Sequence, residues 1–274
     1  MSRSAKYRKR PQLQYPAAAR RLRKRCLDPI KAYYREGSVV STTTGPYVFQ
    51  DNGADVLAVA HLDTVRHDRH FGFYAEDPDT LFNCQLDDRL GAWIALDSLP
   101  RRGIKMDVLL TTGEESCAST ARDFTPPRQY HWVVGFDRAG ADVVTYQYAD
   151  PDWRDALEVA GNHVGWGSYS DIAELEHLGC CAVNWGIGYH DNHGPSSYCS
   201  LAELGEAIER FVSFYRANHV RRFAHVPDTW EVEDGLDDDY TDRPGLYWWD
   251  KTDEGKRAQV EWREYYNHQE NRDM

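Results

Sequence analysis

The sequence lacks any apolar run that could cross a bilayer. Its clean apolar stretches are short, such as Val56–Ala60, whereas a spanning helix needs about 20 residues. No apolar stretch follows the basic N-terminus, so a secretory signal peptide is not expected and neither is a membrane partner. The six cysteines (26, 84, 117, 180, 181 and 199) contain no Cys-x-x-Cys pair. In a chain of this size they read as reduced thiols of a cytoplasmic protein. The adjacent Cys180-Cys181 fits a buried strand better than a redox pair. Internal repeats are absent, and the acids around Asp237-Asp-Asp239 do not follow the spacing of an EF-hand.

Positive charge is scarce outside one end. Residues 1–31 hold eleven Lys/Arg against Asp28 alone, a net of +10; with the whole chain at −12, the remainder carries −22. We divide the chain into a basic arm (1–25), a core domain (26–226) and an acidic, Trp-rich extension (227–274). A basic arm can bind nucleic acid. A solvated tail or a clamp on the protein's own acidic surface is preferred here, because the acidic body repels phosphate. Trp230, Trp248, Trp249 and Trp262 in the extension read as packing residues.

The 274 residues suffice for one large α/β domain or two small ones, and 9 Trp, 17 Tyr and 9 Phe can fill a sizeable core. Strand-like and helix-like segments alternate, which implies a sheet covered by helices. Strands are expected at Val56–Ala60, Met106–Leu110, Trp132–Phe136, Val143–Tyr148 (beside the previous one) and Cys180–Asn184. Helices are expected at Leu90–Leu99, before Pro100, at Ser170–Leu178, stopped by Gly179, and from Leu201 to about Asn218. Ser200 can cap the last helix, with Glu203 completing a capping box. The polar residues of interest fall just past the strands' carboxyl ends, the edge where open α/β sheets bind ligands.

Five segments carry that polarity: His61-Leu-Asp63, Asp87-Asp88-Arg-Leu-Gly91, Gly113-Glu-Glu-Ser116, Phe136-Asp-Arg138 and His190-Asp-Asn-His-Gly194. Zinc takes imidazole nitrogen and carboxylate oxygen, and a catalytic site leaves a position open for water. Two ions about 3.5–4 Å apart can share one bridging carboxylate. Each then needs about two more ligands, so five protein ligands suffice, with one carboxylate left free as a base.

In their order, these motifs resemble the co-catalytic zinc exopeptidases, the superfamily of peptidase T, glutamate carboxypeptidase and the bacterial aminopeptidases. Val59-Ala-His-Leu-Asp-Thr-Val65, Leu86-Asp-Asp-Arg-Leu-Gly91 and Thr111-Thr-Gly-Glu-Glu115 match the first three family motifs. Gly167-Ser-Tyr-Ser-Asp171, Asn184-Trp-Gly-Ile-Gly188 and His193 resemble the closing segment of the peptidase T branch. The likeness spans roughly residues 54–215. It implies an α/β single-domain three-layer sandwich with a mixed, mostly parallel central sheet flanked by helices.

The resemblance also implies roles. Asp87 would bridge two divalent ions, with zinc the expected metal. His61 and Asp137 would complete one ion, Glu115 and His193 the other. Glu114 would stay off the metals as general base. Asp63 would accept a hydrogen bond from the His61 ring. The family's peptide bond after the bridging aspartate is typically cis, which sets an expectation for Asp87–Asp88. Competing readings stay open. Asp87 and Asp88 could be helix caps, and Asp137 could pair only with Arg138. His190 rivals His193, His67 and His70 are alternative ligands, and His163 is a candidate substrate contact.

Only 33 positions separate Asp137 from Ser170, so the lid domain of peptidase T has no room. The expected function is a metal-dependent amide or peptide hydrolase, an exopeptidase on short peptides or N-acyl amino acids, and a homo-oligomer is compatible with it. The rival is a non-catalytic binding or scaffold protein on the same fold. Glu114 argues for the enzyme, because a degenerate relative would be expected to lose the base or a ligand.

Overall fold

A computed structural model describes residues 17–65, 72–74, 77–82, 85–148, 150–194 and 196–227. Helices α1 (Ala17–Leu27) and α2 (Ile30–Tyr33) lead into the hairpin β1 (Ser38–Ser41) and β2 (Pro46–Gln50), followed by β3 (Val56–His61). Next come β4 (Gly72–Tyr74), β5 (Asp77–Phe82), α3 (Leu86–Trp93), β6 (Asp107–Thr111), β7 (Trp132–Arg138) and β8 (Val143–Val144). Helix α4 (Pro151–Val159), β9 (Ala182–Gly186), β10 (Tyr189–His190), β11 (Tyr198–Ser200) and α5 (Leu201–Asn218) complete the described chain.

The main sheet has seven strands in the order β1-β2-β6-β3-β7-β9-β8. Its central four, β6, β3, β7 and β9, pair in parallel, while β2 and β8 run against their neighbours. Strand β3 is buried along its whole length, as the central strand of a parallel sheet must be when both faces are covered. On one face Trp132 and Phe136 of β7 pack edge-on against Phe211 of α5. On the other, Gly135 lies under Ile172 of the 3₁₀ segment Asp171–Leu178, where a Cβ would come within 3.3 Å of the Ile172 methyl. This is the single α/β domain with a mixed, mostly parallel sheet between helical layers that the motifs imply. A second sheet, β10-β11-β5-β4, is antiparallel; no sequence signal separated it from the first.

Several elements differ from their expected bounds. The helix expected at Leu90–Leu99 starts at Leu86 and ends in a π-helical turn over Ile94–Ser98. Of Val143–Tyr148, only Val143–Val144 is strand, and it pairs with β9 because β9 already occupies the edge of β7. Residues 171–178 are 3₁₀ rather than α. Ser200 does cap α5, its side chain accepting the Glu203 N–H. The Glu203 carboxylate turns away to His190, so the capping box is half made.

Part of the basic segment belongs to the domain. Leu22 and Cys26 of α1 are buried in the core, so a boundary at residue 25 falls inside a packed helix. Arg25 clamps the protein's own acids, binding Glu36 at 2.6 Å and Asp97 at 2.9 Å. Residues 1–16 and the extension with its four Trp lie outside the described residues. Among those described, Cys26, Cys117, Cys180, Cys181 and Cys199 are free thiols, and no helix is long and apolar enough to cross a membrane.

Candidate metal centre

The strand ends deliver the functional side chains to one edge of the sheet. His61 is the last residue of β3 and Asp137 lies at the end of β7. Glu114 and Glu115 form a 3₁₀ turn just beyond β6. Asp87 opens α3, and the Asp87–Asp88 peptide is cis. His193 lies in the loop after β10. The turn that presents the two glutamates needs Gly113. Its φ is +86°, and a Cβ there would meet the Ala118 carbonyl oxygen at 2.6 Å. Gly113→Ala should therefore lower stability by about 1–2 kcal/mol from the left-handed conformation alone, with the collision adding to it. Chemical denaturation checks this, and an unchanged midpoint would mean that the turn adapts.

Two groups of ligand atoms form, and they share one residue. His61, Asp87 and Asp137 make the first; Asp87, Glu115 and His193 make the second. In the first, His61 Nε2 lies 3.1 Å from Asp87 Oδ1 and 3.5 Å from Asp137 Oδ1. In the second, His193 Nε2 lies 3.0 Å from Asp87 Oδ2 and 3.1 Å from Glu115 Oε2. The two oxygens of Asp87 thus face different groups. Glu114 stands in neither; its Oε2 is 3.8 Å from His61 Nε2.

Neighbouring groups fix these side chains. His61 Nδ1 donates to the Asp63 carbonyl oxygen at 2.9 Å. A carbonyl only accepts, so a proton sits on Nδ1, and Nε2 is the nitrogen turned toward the site. The expected partner, the Asp63 carboxylate, is farther away, with Oδ1 at 3.7 Å from Nδ1. Its Oδ2 instead accepts the Glu115 N–H at 3.2 Å, so Asp63 orients both groups at once. The Asp137 N–H donates to Asn184 Oδ1, and the Tyr189 hydroxyl donates to the Asp137 carbonyl oxygen. Asn192 Nδ2 reaches Asp87 Oδ2 at 3.5 Å.

Several of the competing residues are engaged elsewhere. Arg138 makes two 2.9 Å bonds to Asp142, so it does not consume Asp137. Asp87 and Asp88 have non-helical backbone angles inside α3, and Asp88 caps the turns that follow, its Oδ1 accepting the Gly91 N–H; burial raises its carboxyl well above the usual range. His190 bonds to Glu203 rather than entering either group. His163 is exposed, and its carbonyl oxygen accepts the Val143 N–H at the sheet edge. His67 and His70 lie outside the described residues. Asp171, unremarked in the sequence beyond its motif, is buried; it accepts Thr111 Oγ1 at 2.7 Å and the Ser119 hydroxyl, and so ties down both ends of the Glu114–Glu115 loop.

The electrostatics are those of a site short of positive charge. Asp87, Glu114, Glu115 and Asp137 converge on two imidazoles, and among the described residues no Lys or Arg pairs with any of the four. Burial pushes the Glu114 carboxyl up to about 9; His61 opposes the shift and the Asp137, Asp171 and Asp87 charges add to it. Burial, reinforced by Asp87, pushes Asp137 up to about 7. Burial works the same way on Asp87, but its bonds to His193 and His61 prevail and hold it well below the carboxylate range. His193 is pushed up to about 10, chiefly by its bond to Asp87. Carboxylates buried at this density are costly unless they take up protons or meet cations, and the two groups offer the mixed imidazole and carboxylate donors that hold a metal ion.

No family model matches the chain, and no curated protein matches its sequence. Solved structures do. The aminopeptidase PepT of Bacillus cereus superposes with a TM-score of 0.52 at 12% identity, over 72% of this chain and 96% of that one. A tripeptidase of Staphylococcus aureus gives 0.51 at 10% identity, over 72% and 98%. PhTET1-12s, a dodecamer in the asymmetric unit of its crystal, gives 0.50 at 12% identity, over 72% and 98%. The likeness is one of fold, and it agrees with the resemblance carried by the motifs. Between β7 and the 3₁₀ segment at Asp171 the chain holds only β8, α4 and their connections, so there is no lid domain in that interval.

Proposed function

We propose that this chain is a metal-dependent hydrolase of amide or peptide bonds, an exopeptidase acting on short peptides or N-acyl amino acids with two divalent ions, zinc being the expected metal. The observation that carries the reading is Asp87, whose two oxygens each face a separate His and carboxylate group. His61, Asp87 and Asp137 would hold one ion; Asp87, Glu115 and His193 would hold the other. When bound, such ions polarise a carbonyl and make water acidic enough to attack near neutral pH. Glu114, outside both ligand groups, takes the proton from the attacking water and returns it to the leaving amine. Asp63 and Asn184 hold the ligands in register through His61, Glu115 and Asp137. The likeness to the structures of an aminopeptidase and a tripeptidase sets aminopeptidase activity first among the exopeptidase forms. The oligomeric PhTET1-12s makes a homo-oligomer a reasonable assembly, and the reduced thiols fit the cytoplasm. Elemental analysis of purified protein, with a screen of aminoacyl, dipeptide and N-acyl substrates, tests the reading. Two ions per chain are expected. Saturation with one ion, or none bound near His61 and Asp87, sinks the two-ion site.

A further inference from the structure

The last ligand, His193, sits on the least supported segment of the site. Its side chain is 44% exposed, against 11% for Glu115 and 5% for Asp87. Both Asp191 and His193 adopt left-handed φ angles, +52° and +63°, which non-glycine residues hold only when neighbouring contacts impose them. Those contacts begin at the root of the loop. Gly188, at φ +75°, lies so close to α5 that a Cβ would be 2.7 Å from Glu203 Cβ. Two residues on, the His190 ring stacks on Tyr198, 4.9 Å between centroids, and its Nε2 lies 2.6 Å from Glu203 Oε2. The preceding side chain, Tyr189, points the other way and bonds to the Asp137 carbonyl oxygen.

We infer that Glu203 is a positioning residue for the second metal group: through His190 it latches the 190–194 loop to the start of α5 and so holds His193 against Asp87 and Glu115. The inference rests on the two-ion reading above. Glu203 is suited to the task because its own backbone is fixed, its N–H donating to Ser200 Oγ. Its side chain, freed from the capping box, is spent on His190. His61 and Asp137 are held by other contacts, with the Asp63 carbonyl oxygen and Asn184 Oδ1, so the latch acts on the second ion and not the first.

Zinc titration of the full chain, by calorimetry with chelator competition, separates these roles. Glu203→Ala should weaken the second ion by roughly 10–100-fold, the usual effect of removing an outer partner of a metal ligand, and leave the first unchanged. Glu203→Gln keeps an acceptor oxygen for His190 and should recover most of the loss. His190→Ala should match Glu203→Ala, and the double variant should be no worse than either. Wild-type affinity for both ions in the two alanine variants would overturn the latch, and so would equal weakening of both ions, the mark of a general structural defect. A wild-type chain that binds fewer than two ions would instead overturn the two-ion reading, and the latch with it.

Discussion

Glu114→Gln is expected to keep the fold and both ions and to lose most turnover, by roughly 10²–10⁴-fold, the contribution typical of a general acid–base group. Glutamine has the shape of glutamate but cannot take up a proton at neutral pH. Its neighbour Glu115 is fixed from both sides, its N–H on Asp63 Oδ2 and its Oε1 accepting the Val65 N–H. Glu114 belongs to neither ligand group, so removing its charge leaves every proposed ligand in place. Burial among other carboxylates raises its proton affinity without metal; bound cations would lower it and leave the carboxylate ionised to take a proton from water. Steady-state kinetics on the best substrate of the screen, with metal content measured on the same samples, decides the point. A variant with nearly wild-type rate would move the base elsewhere, whereas one that lost an ion as well would make Glu114 a ligand.

The cluster was legible where a proposed ligand follows a local signal. His61, Glu115 and Asp137 come at or just after apolar runs that must be strands, and a parallel sheet gathers its strand ends at one edge. Asp87 and His193 are not at such ends, and it was the order of motifs that pointed to them. What escaped notice is set by tertiary pairing. Asn192 is adjacent to His193 in sequence, yet an amide beside a ligand carries no signal until the loop turns it toward Asp87. Asn184 and Tyr189 hold Asp137 across strand β9 and the segment after it, contacts that depend on sheet order. Val143–Tyr148 read as strand from its apolar and aromatic residues, but Tyr146 takes φ +49° and turns its hydroxyl to the Tyr169 carbonyl oxygen, ending the strand at Val144. In the basic segment charge masked the apolar stripe: Leu22 and Cys26 face the core while Arg25 meets Glu36 and Asp97.

The sharpest demand falls on Asp87. A bridging carboxylate offers one oxygen to each ion and partly neutralises two charges at close range. The geometry suits that role, with Oδ1 3.1 Å from His61 Nε2 and Oδ2 3.0 Å from His193 Nε2. Asparagine keeps the size but has no charge and only one good acceptor oxygen. Asp87→Asn should therefore weaken both ions together. Asp137→Asn should mainly weaken the ion held with His61, and Glu115→Gln the ion held with His193. Each leaves the other group with its own His and carboxylate. Metal titrations of the three variants, at one pH and ionic strength, compare the losses directly. Asp88 stands in neither ligand group, its Oδ1 accepting the Gly91 N–H, and is the next candidate for the bridge. Loss of one ion in Asp87→Asn, with the other bound at wild-type affinity, would mean two independent sites and would overturn the shared-aspartate assignment on which the two-ion reading is built.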